Sequence, residues 1–320
     1  MRKIWEYDRL YAFLRPYVDW CTRKSYRQLK FRGADLPENG AVLIAPNHTN
    51  TLMDALVILS GRKGATAFGA RADIFRKRAL ARILHFLRIL PMVRERDGLD
   101  HVNENYAVFG QIDDTLSHGV PFCLFAEGTH HPGRTLRPIK KGIARIALKS
   151  ARERQTWLVP TGINYGSFFH YRSVCEVRYG SPLDINAFVE EHAHLTEAQM
   201  LQELREFIEK NMAKMVEPEG PTEEKAHPLL LLVWPLAALL ALPLWGTAEV
   251  LCHKVKDKAW CNSIRCMCLL LLLPPTLLIW SILLGLTLSW TWMLSLLPMI
   301  ILSYPVFYDG LNFLRWHNTH

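Results

Sequence analysis

The chain lacks charge over two long stretches. Pro228 to Ala248 runs for twenty-one residues, and Cys266 to Tyr308 for forty-three, without Asp, Glu, Lys or Arg. A bilayer span needs roughly twenty apolar residues, so the first run is about one span and the second is long enough for two. Metal-ligand spacing is missing as well. The cysteines at 21, 123, 175, 252, 261, 266 and 268 form no zinc pattern, and Cys266-Met267-Cys268 is too tight for a zinc ribbon. All are read as reduced structural thiols, and no metal is expected. No zinc-finger spacing or RNA-recognition signature accompanies the net charge of +8, so nucleic acid is not expected as a partner. Met1 to Lys30 is too charged, and too poor in apolar core, for a cleavable signal peptide. No internal repeat is visible.

What is present divides the chain. Residues 1–34 begin with an aromatic-rich, loosely helical pattern from Ile4 to Trp20, fitting either a helix at a bilayer surface or one packed on the protein's own core. Residues 35–216 alternate short apolar runs with longer helical patterns. The strand candidates are 41–45, 66–70, 121–126, 157–163 and 174–179. The helix candidates are 52–60, 74–90, 99–118, 143–152 and 196–215. Alternation of this kind predicts an α/β fold, a mixed sheet covered by helices, with a helical membrane region at 228–320 made of two to three apolar segments. Residues 217–227, with Pro, Gly and four Glu between 217 and 226, read as a linker.

Polar groups collect where two of the strands end. Asn47-His48-Thr49-Asn50-Thr51-Leu52-Met53-Asp54 follows the first strand, and Glu127-Gly128-Thr129-His130 follows the run Pro121 to Ala126. A histidine that removes a proton near neutral pH needs a partner to fix its tautomer and support its charge, and a carboxylate does both. Thr51 and Asp54 also fit a helix start, with Thr51 as cap and Asp54 three residues on. On a continuous helix His48 and Asp54 would lie on different faces; with His48 in the loop and Asp54 in the first turn they can meet.

Four blocks in this order resemble the glycerolipid acyltransferase family, which includes glycerol-3-phosphate and lysophosphatidic acid acyltransferases. That family's first motif is Asn-His, four residues, then Asp; here Asn47-His48 and Asp54 enclose five. Leu90-Pro91-Met92-Val93-Arg94 is similar to the second motif. Phe125, Glu127, Gly128 and Thr129 match the third, Phe-Pro-Glu-Gly-Thr-Arg, with Ala126 for the proline and His130 for the arginine. Lys141-Gly142 and Trp157-Leu158-Val159-Pro160 follow as in many members. The resemblance covers roughly residues 40 to 185.

It implies transfer of a fatty acyl group from a thioester, acyl-CoA or acyl-carrier protein, to a glycerol phosphate hydroxyl, with no other cofactor. His48 is then the expected base and Asp54 its orienting partner. Arg94, Glu127, Gly128, Thr129 and Lys141 are expected to bind substrate, with Arg71 as an assistant. The missing arginine at 130 leaves Arg134, Arg137, Lys140 and Lys141 to grip phosphate. The acceptor expected is 1-acylglycerol 3-phosphate, which suits a membrane-anchored chain. Glycerol 3-phosphate is the alternative, and a non-catalytic lipid-binding protein of the same fold a further one. The ten Arg and Lys between Arg62 and Arg96, against two acids, suit anionic lipid headgroups or coenzyme A phosphates. Lys254, Lys256, Lys258 and Arg265 should stay cytoplasmic with the catalytic domain, which requires the first apolar run to re-enter on its own side. Three plain spans are the competing arrangement.

Overall fold

The computed structural model describes residues 2–92, 102–223, 226–287 and 290–317. After α1 (Arg9–Lys24) come β1 (Gln28–Gly33), β2 (Ala41–Pro46), α2 (Leu52–Ser60), β3 (Ala67–Arg71), α3 (Arg78–Phe86), β4 (Ile89–Met92), α4 (Val102–Ser117), β5 (Phe122–Cys123) and α5 (Lys141–Ala151). Then follow β6 (Thr156–Tyr165), β7 (Val174–Tyr179), β8 (Leu183–Asp184), α6 (Ile185–Glu191) and α7 (Glu197–Ala213). The apolar helices are α8 (Leu230–Leu240), α9 (Leu242–Lys254), α10 (Cys261–Thr287) and α11 (Trp290–His317).

The strands form one mixed sheet in the order β1-β7-β6-β2-β5-β3-β4, with β8 pairing β6 off this path. Neighbours are parallel except where β6 meets β7 and β8. Side chains alternate faces along a strand, so a strand covered on both sides is apolar throughout. β2 shows this: Ala41, Leu43 and Ala45 join a core with Ile112, Ile143 and Leu204 of α4, α5 and α7. Val42 and Ile44 face the other core, with Val57 of α2, Leu269 of α10 and Tyr304 of α11. The apolar C-terminal helices thus complete one covering layer of the sheet.

Most expected elements fall within a residue or two of their observed bounds. The helix expected over 74–90 does not hold: a 3-10 turn at Ala72–Phe75 precedes α3, and Ile89–Met92 is a strand. Arg88 takes a positive φ of 61°, which ends the helix, and β4 gains a parallel ladder with β3. The segment 1–34, expected to be helical, also contains the edge strand β1. Part of 99–118 lies outside the described residues, as do residues 288 and 289 between α10 and α11. α1 packs through Tyr17, whose hydroxyl donates to Leu270 O at 3.0 Å, yet leaves Leu10 and Phe13 exposed.

Two helices are long and apolar enough to cross a membrane, Lys258–Thr287 and Leu296–Leu314, or three elements if the α8–α9 pair counts as a span. α8 and α9 meet at 81°. The break falls at Ala241, with Pro243 in the first turn of α9, where its missing N–H is no loss. Pro235 sits inside α8 without ending it. Ahead of this bent pair, Glu223 Oε1 accepts from Val174 N at 3.3 Å; behind it, Asp257 meets His130 at 2.8 Å. α10 starts against the domain, where Asn262 Nδ2 donates to Phe168 O at 2.8 Å. α11 returns to it, with Asp309 on Arg172 at 2.6 Å and Asn312 Nδ2 on Tyr171 O at 2.7 Å. Each apolar excursion begins and ends on the α/β domain.

Candidate active site

Pro46 ends β2, and Asn47 extends its anchorage. The Asn47 amide donates to Ile163 O at 3.1 Å and accepts from Ile163 N at 2.6 Å, so the side chain imitates a strand neighbour of β6. His48 therefore leaves the sheet from a fixed point.

His48 Nδ1 lies 2.8 Å from Asp54 Oδ2. The same oxygen accepts from Thr49 N and Asn50 N, each at 2.7 Å, and Oδ1 accepts from the Tyr165 hydroxyl at 2.7 Å. Burial, and then the Asp54 charge, push the Tyr165 hydroxyl well above its ordinary pKa, so it stays a donor. Asp54 is fully buried and surrounded by donors. Nδ1 of His48 then carries the proton, and Nε2 keeps its lone pair. Nε2 makes no hydrogen bond among the described residues, and the side chain keeps 18% of its exposure. Phe125 stacks on the ring at 4.3 Å and leaves its edge open.

Between His48 and Asp54 the chain turns at Thr51, whose φ of 48° and ψ of −122° are strained for a β-branched residue. Thr51 stands in the cap position of α2 but its side chain does not cap the helix. Its hydroxyl instead meets that of Ser263 in α10 at 2.6 Å. The capping interpretation is corrected accordingly: Asp54 reaches back to the turn, while Thr51 ties the turn to an apolar helix. Thr49 Oγ1 and both amide atoms of Asn50 are buried in this turn with no partner among the described residues.

Glu127 is buried beneath the turn. Its Oε1 accepts from His48 N at 2.8 Å and its Oε2 from Arg137 N at 3.3 Å. Burial raises the carboxyl's pKa, and the two backbone N–H groups offset it only in part. Gly128, at φ 72°, turns the chain where a Cβ would come within 3.3 Å of the Lys140 side chain. Thr129 is exposed, and Lys141 is exposed at the start of α5. Arg134 is not free to grip phosphate: its guanidinium donates to Tyr165 O and Gly166 O at 2.7 and 2.6 Å. Arg71 pairs with Asp73 at the surface. Arg94 lies outside the described residues. Cys123 is fully buried, and burial raises its thiol far above the ordinary range, which does not suit a nucleophile.

His130 stands edge-on to His48, ring centres 5.8 Å apart. Its Nε2 is 2.8 Å from Asp257 Oδ2, and Trp260 meets it edge-on at 6.2 Å. The connection between α9 and α10 therefore forms one wall of the site. Among the described residues no group of three or more His, Cys, Asp or Glu side chains is arranged to hold a metal ion.

Residues 28–164 match the family model described as Acyltransferase. Over this stretch the chain is similar to acyltransferases. An uncharacterized acyltransferase of Schizosaccharomyces pombe is 31% identical over 87 residues, which cover 26% of this chain and 13% of that protein. Glycerol-3-phosphate O-acyltransferase 1 of Saccharomyces cerevisiae is 28% identical over 110 residues, covering 33% of this chain and 14% of that one. The matched part thus spans about a seventh of these relatives' lengths. The crystal structure of the 1-acyl-sn-glycerophosphate (LPA) acyltransferase PlsC from Thermotoga maritima aligns with TM-score 0.47 and 16% identity, over 66% of this chain and 83% of that one.

The structure brings His48, Asp54 and Glu127 together and seats Gly128 and Thr129 beside them. The candidate site also includes Tyr165, Asp257 and Trp260, which sequence reasoning did not single out. Tyr165 ends the apolar strand β6 and could have been sought among polar groups at strand ends. Asp257 lies in an ordinary charged loop and carries no such signal.

Proposed function

We propose that this protein is a membrane-bound O-acyltransferase that moves a fatty acyl group from an acyl thioester to a hydroxyl of 1-acylglycerol 3-phosphate in phospholipid synthesis. The observation that carries the reading is the His48 Nδ1 to Asp54 Oδ2 contact at 2.8 Å, with Nε2 unpartnered among the described residues. His48 Nε2 takes the acceptor hydroxyl's proton as the oxygen attacks the thioester carbonyl, and Asp54 stabilises the imidazolium. The tetrahedral intermediate collapses, the C–S bond breaks, and the imidazolium returns the proton to the leaving thiolate. No covalent acyl-enzyme is needed, because the thioester is already activated.

The lipid acceptor is supported by the site's position at the foot of the apolar helices, where Ser263 holds the catalytic turn and Asp257 meets His130. Glycerol 3-phosphate is the second reading, favoured by the similarity to the yeast enzyme. In this reading Glu127 orders the turn, Gly128 and Thr129 border the acceptor, and Arg94 and Lys141 supply positive charge to phosphate. The domain faces the cytoplasm, with Lys254, Lys256 and Lys258 on the same side.

Membranes containing the protein, incubated with a labelled long-chain acyl-CoA and each acceptor in turn, test this. Transfer should favour 1-acylglycerol 3-phosphate and fall by on the order of 10²–10⁴ in His48→Ala, the range for loss of a general base. Equal transfer by His48→Ala at equal expression would remove the base assignment. Preference for glycerol 3-phosphate would select the second reading.

A further inference from the structure

We propose that Asp257, from the connection between the bent pair α8–α9 and α10, completes the acceptor's phosphate site by holding His130 as an imidazolium whose Nδ1–H donates to a phosphate oxygen. The inference rests on the acyltransferase reading above and adds the residue that makes phosphate binding possible without an arginine at position 130.

The geometry is built rather than incidental. Asp257 Oδ2 lies 2.8 Å from His130 Nε2, while Oδ1 accepts from Ala259 N at 3.0 Å, so the carboxylate is oriented by its own loop. Those two hydrogen bonds, that of His130 first, hold the Asp257 carboxyl below its usual range. Trp260 and His48, both edge-on, set the plane of the His130 ring. Nδ1 has no partner among the described residues, and the side chain keeps 27% of its exposure. The His130 and His48 rings lie 5.8 Å apart, centre to centre, in the same site.

The charge state follows from the partners. With Nε2 aimed at a carboxylate, a neutral ring carries its proton there and turns a lone pair toward Nδ1, which repels phosphate. The doubly protonated ring donates in both directions, and carboxylate on one side with phosphate on the other favours it. The nearby cations do not replace it. Arg134 is taken by backbone carbonyls, and Lys258 Nζ donates to Cys252 O at 2.9 Å. Of the other titratable groups facing this space, His48 is committed to Asp54, and Glu127 is buried on two backbone N–H groups. Arg137 and Lys140 are exposed alongside and add general positive potential. An arginine at 130 would be charged unaided; a histidine needs a carboxylate, and this fold brings one from its apolar region.

The full-length protein in membranes tests this, with acyl-CoA saturating and the preferred acceptor varied. Asp257→Asn should raise the acceptor KM about tenfold, the scale of one charge-assisted hydrogen bond, and leave kcat and the acyl-CoA KM within about twofold. Asp257→Glu should retain most of the acceptor affinity. His130→Arg combined with Asp257→Asn should recover the acceptor KM to within about threefold of wild type, because guanidinium needs no partner to be charged. An unchanged acceptor KM in Asp257→Asn overturns the inference. So does a loss that His130→Arg does not rescue, or one that raises the acyl-CoA KM equally, since either outcome would mean that Asp257 only braces the loop. In both cases the acyltransferase reading survives if wild-type transfer still depends on His48. Wild-type protein inactive toward both acceptors removes that reading and this inference together.

Discussion

Two imidazole–carboxylate contacts of equal length, 2.8 Å, face the same space, and they are built in opposite ways. Asp54 is fully buried and receives His48, two backbone N–H groups and Tyr165. Asp257 is 52% exposed and receives His130 and one N–H of its own loop. Distance alone would rank them as equals. An exposed ion pair is worth about 0–1 kcal/mol, whereas removing one partner of a buried pair costs about 3–5 kcal/mol. The first contact is part of how the sheet ends; the second is a joint between two parts of the chain that the sheet does not connect.

The sharpest way to break this comparison is to remove both carboxylates in separate variants and follow thermal unfolding in detergent. Asp54→Ala leaves Thr49 N, Asn50 N and the Tyr165 hydroxyl without their acceptor, at roughly 1–3 kcal/mol each, so the protein should fold poorly and lose transfer entirely. Asp257→Ala should melt within about 1 kcal/mol of wild type. Equal melting of the two variants would show that Asp54 is not the hub its contacts indicate. Tyr165→Phe comes next. It removes one donor from the Asp54 carboxylate, and transfer should fall about tenfold at nearly unchanged expression.

Glu127 and Asp257 should respond to pH with opposite signs. The Glu127 carboxyl is raised by burial, so its proton-linked stability is complete below the ordinary value of 4.5 and is lost as pH rises through the folded value. Asp257 is lowered, so its contribution is present above 3.8 and disappears as pH falls through its folded value. In melting curves, the stability of wild type relative to Glu127→Gln should therefore shrink as pH rises from the ordinary carboxylate range. A gap that grows instead would mean that the two backbone hydrogen bonds outweigh burial. The smallest effect belongs to Ser263→Ala. It leaves the Thr51 hydroxyl unpaired and should cost about 1 kcal/mol, measured as a lower melting point.

The sheet and its helices were legible because burial on both faces writes continuous apolar strands such as Val42-Leu43-Ile44, and these are separated by helical periods. The α3–β4 segment was not, since its apolar pattern suits either structure and a ladder with β3 decides between them. Of the site, His48, Asp54 and Glu127 could be picked out because they sit next to strand ends. Their bonding could not. That Thr51 would take a strained conformation and bond Ser263, or that Arg134 would spend its guanidinium on backbone carbonyls, depends on contacts among segments far apart in sequence. Asp257 lay beyond reach for the same reason: it is 127 residues from His130.

Both apolar excursions start and finish on the catalytic domain, and this bears on how the chain is threaded into a lipid layer. Placed in a bilayer, the bent α8–α9 pair dips and comes back, and α10 with α11 goes across and returns. Cys266 to Tyr308, which includes most of α10 and α11, carries no charge. Carrying a charged side chain through hydrocarbon is the expensive step of insertion, and here the chain never has to take it. In that arrangement every ionisable loop among the described residues would stay on the side where it was synthesised. A fluorescent tag at either terminus should then light the same compartment, and a cysteine introduced for exposed Lys256 should resist impermeant thiol reagents until the cells are opened.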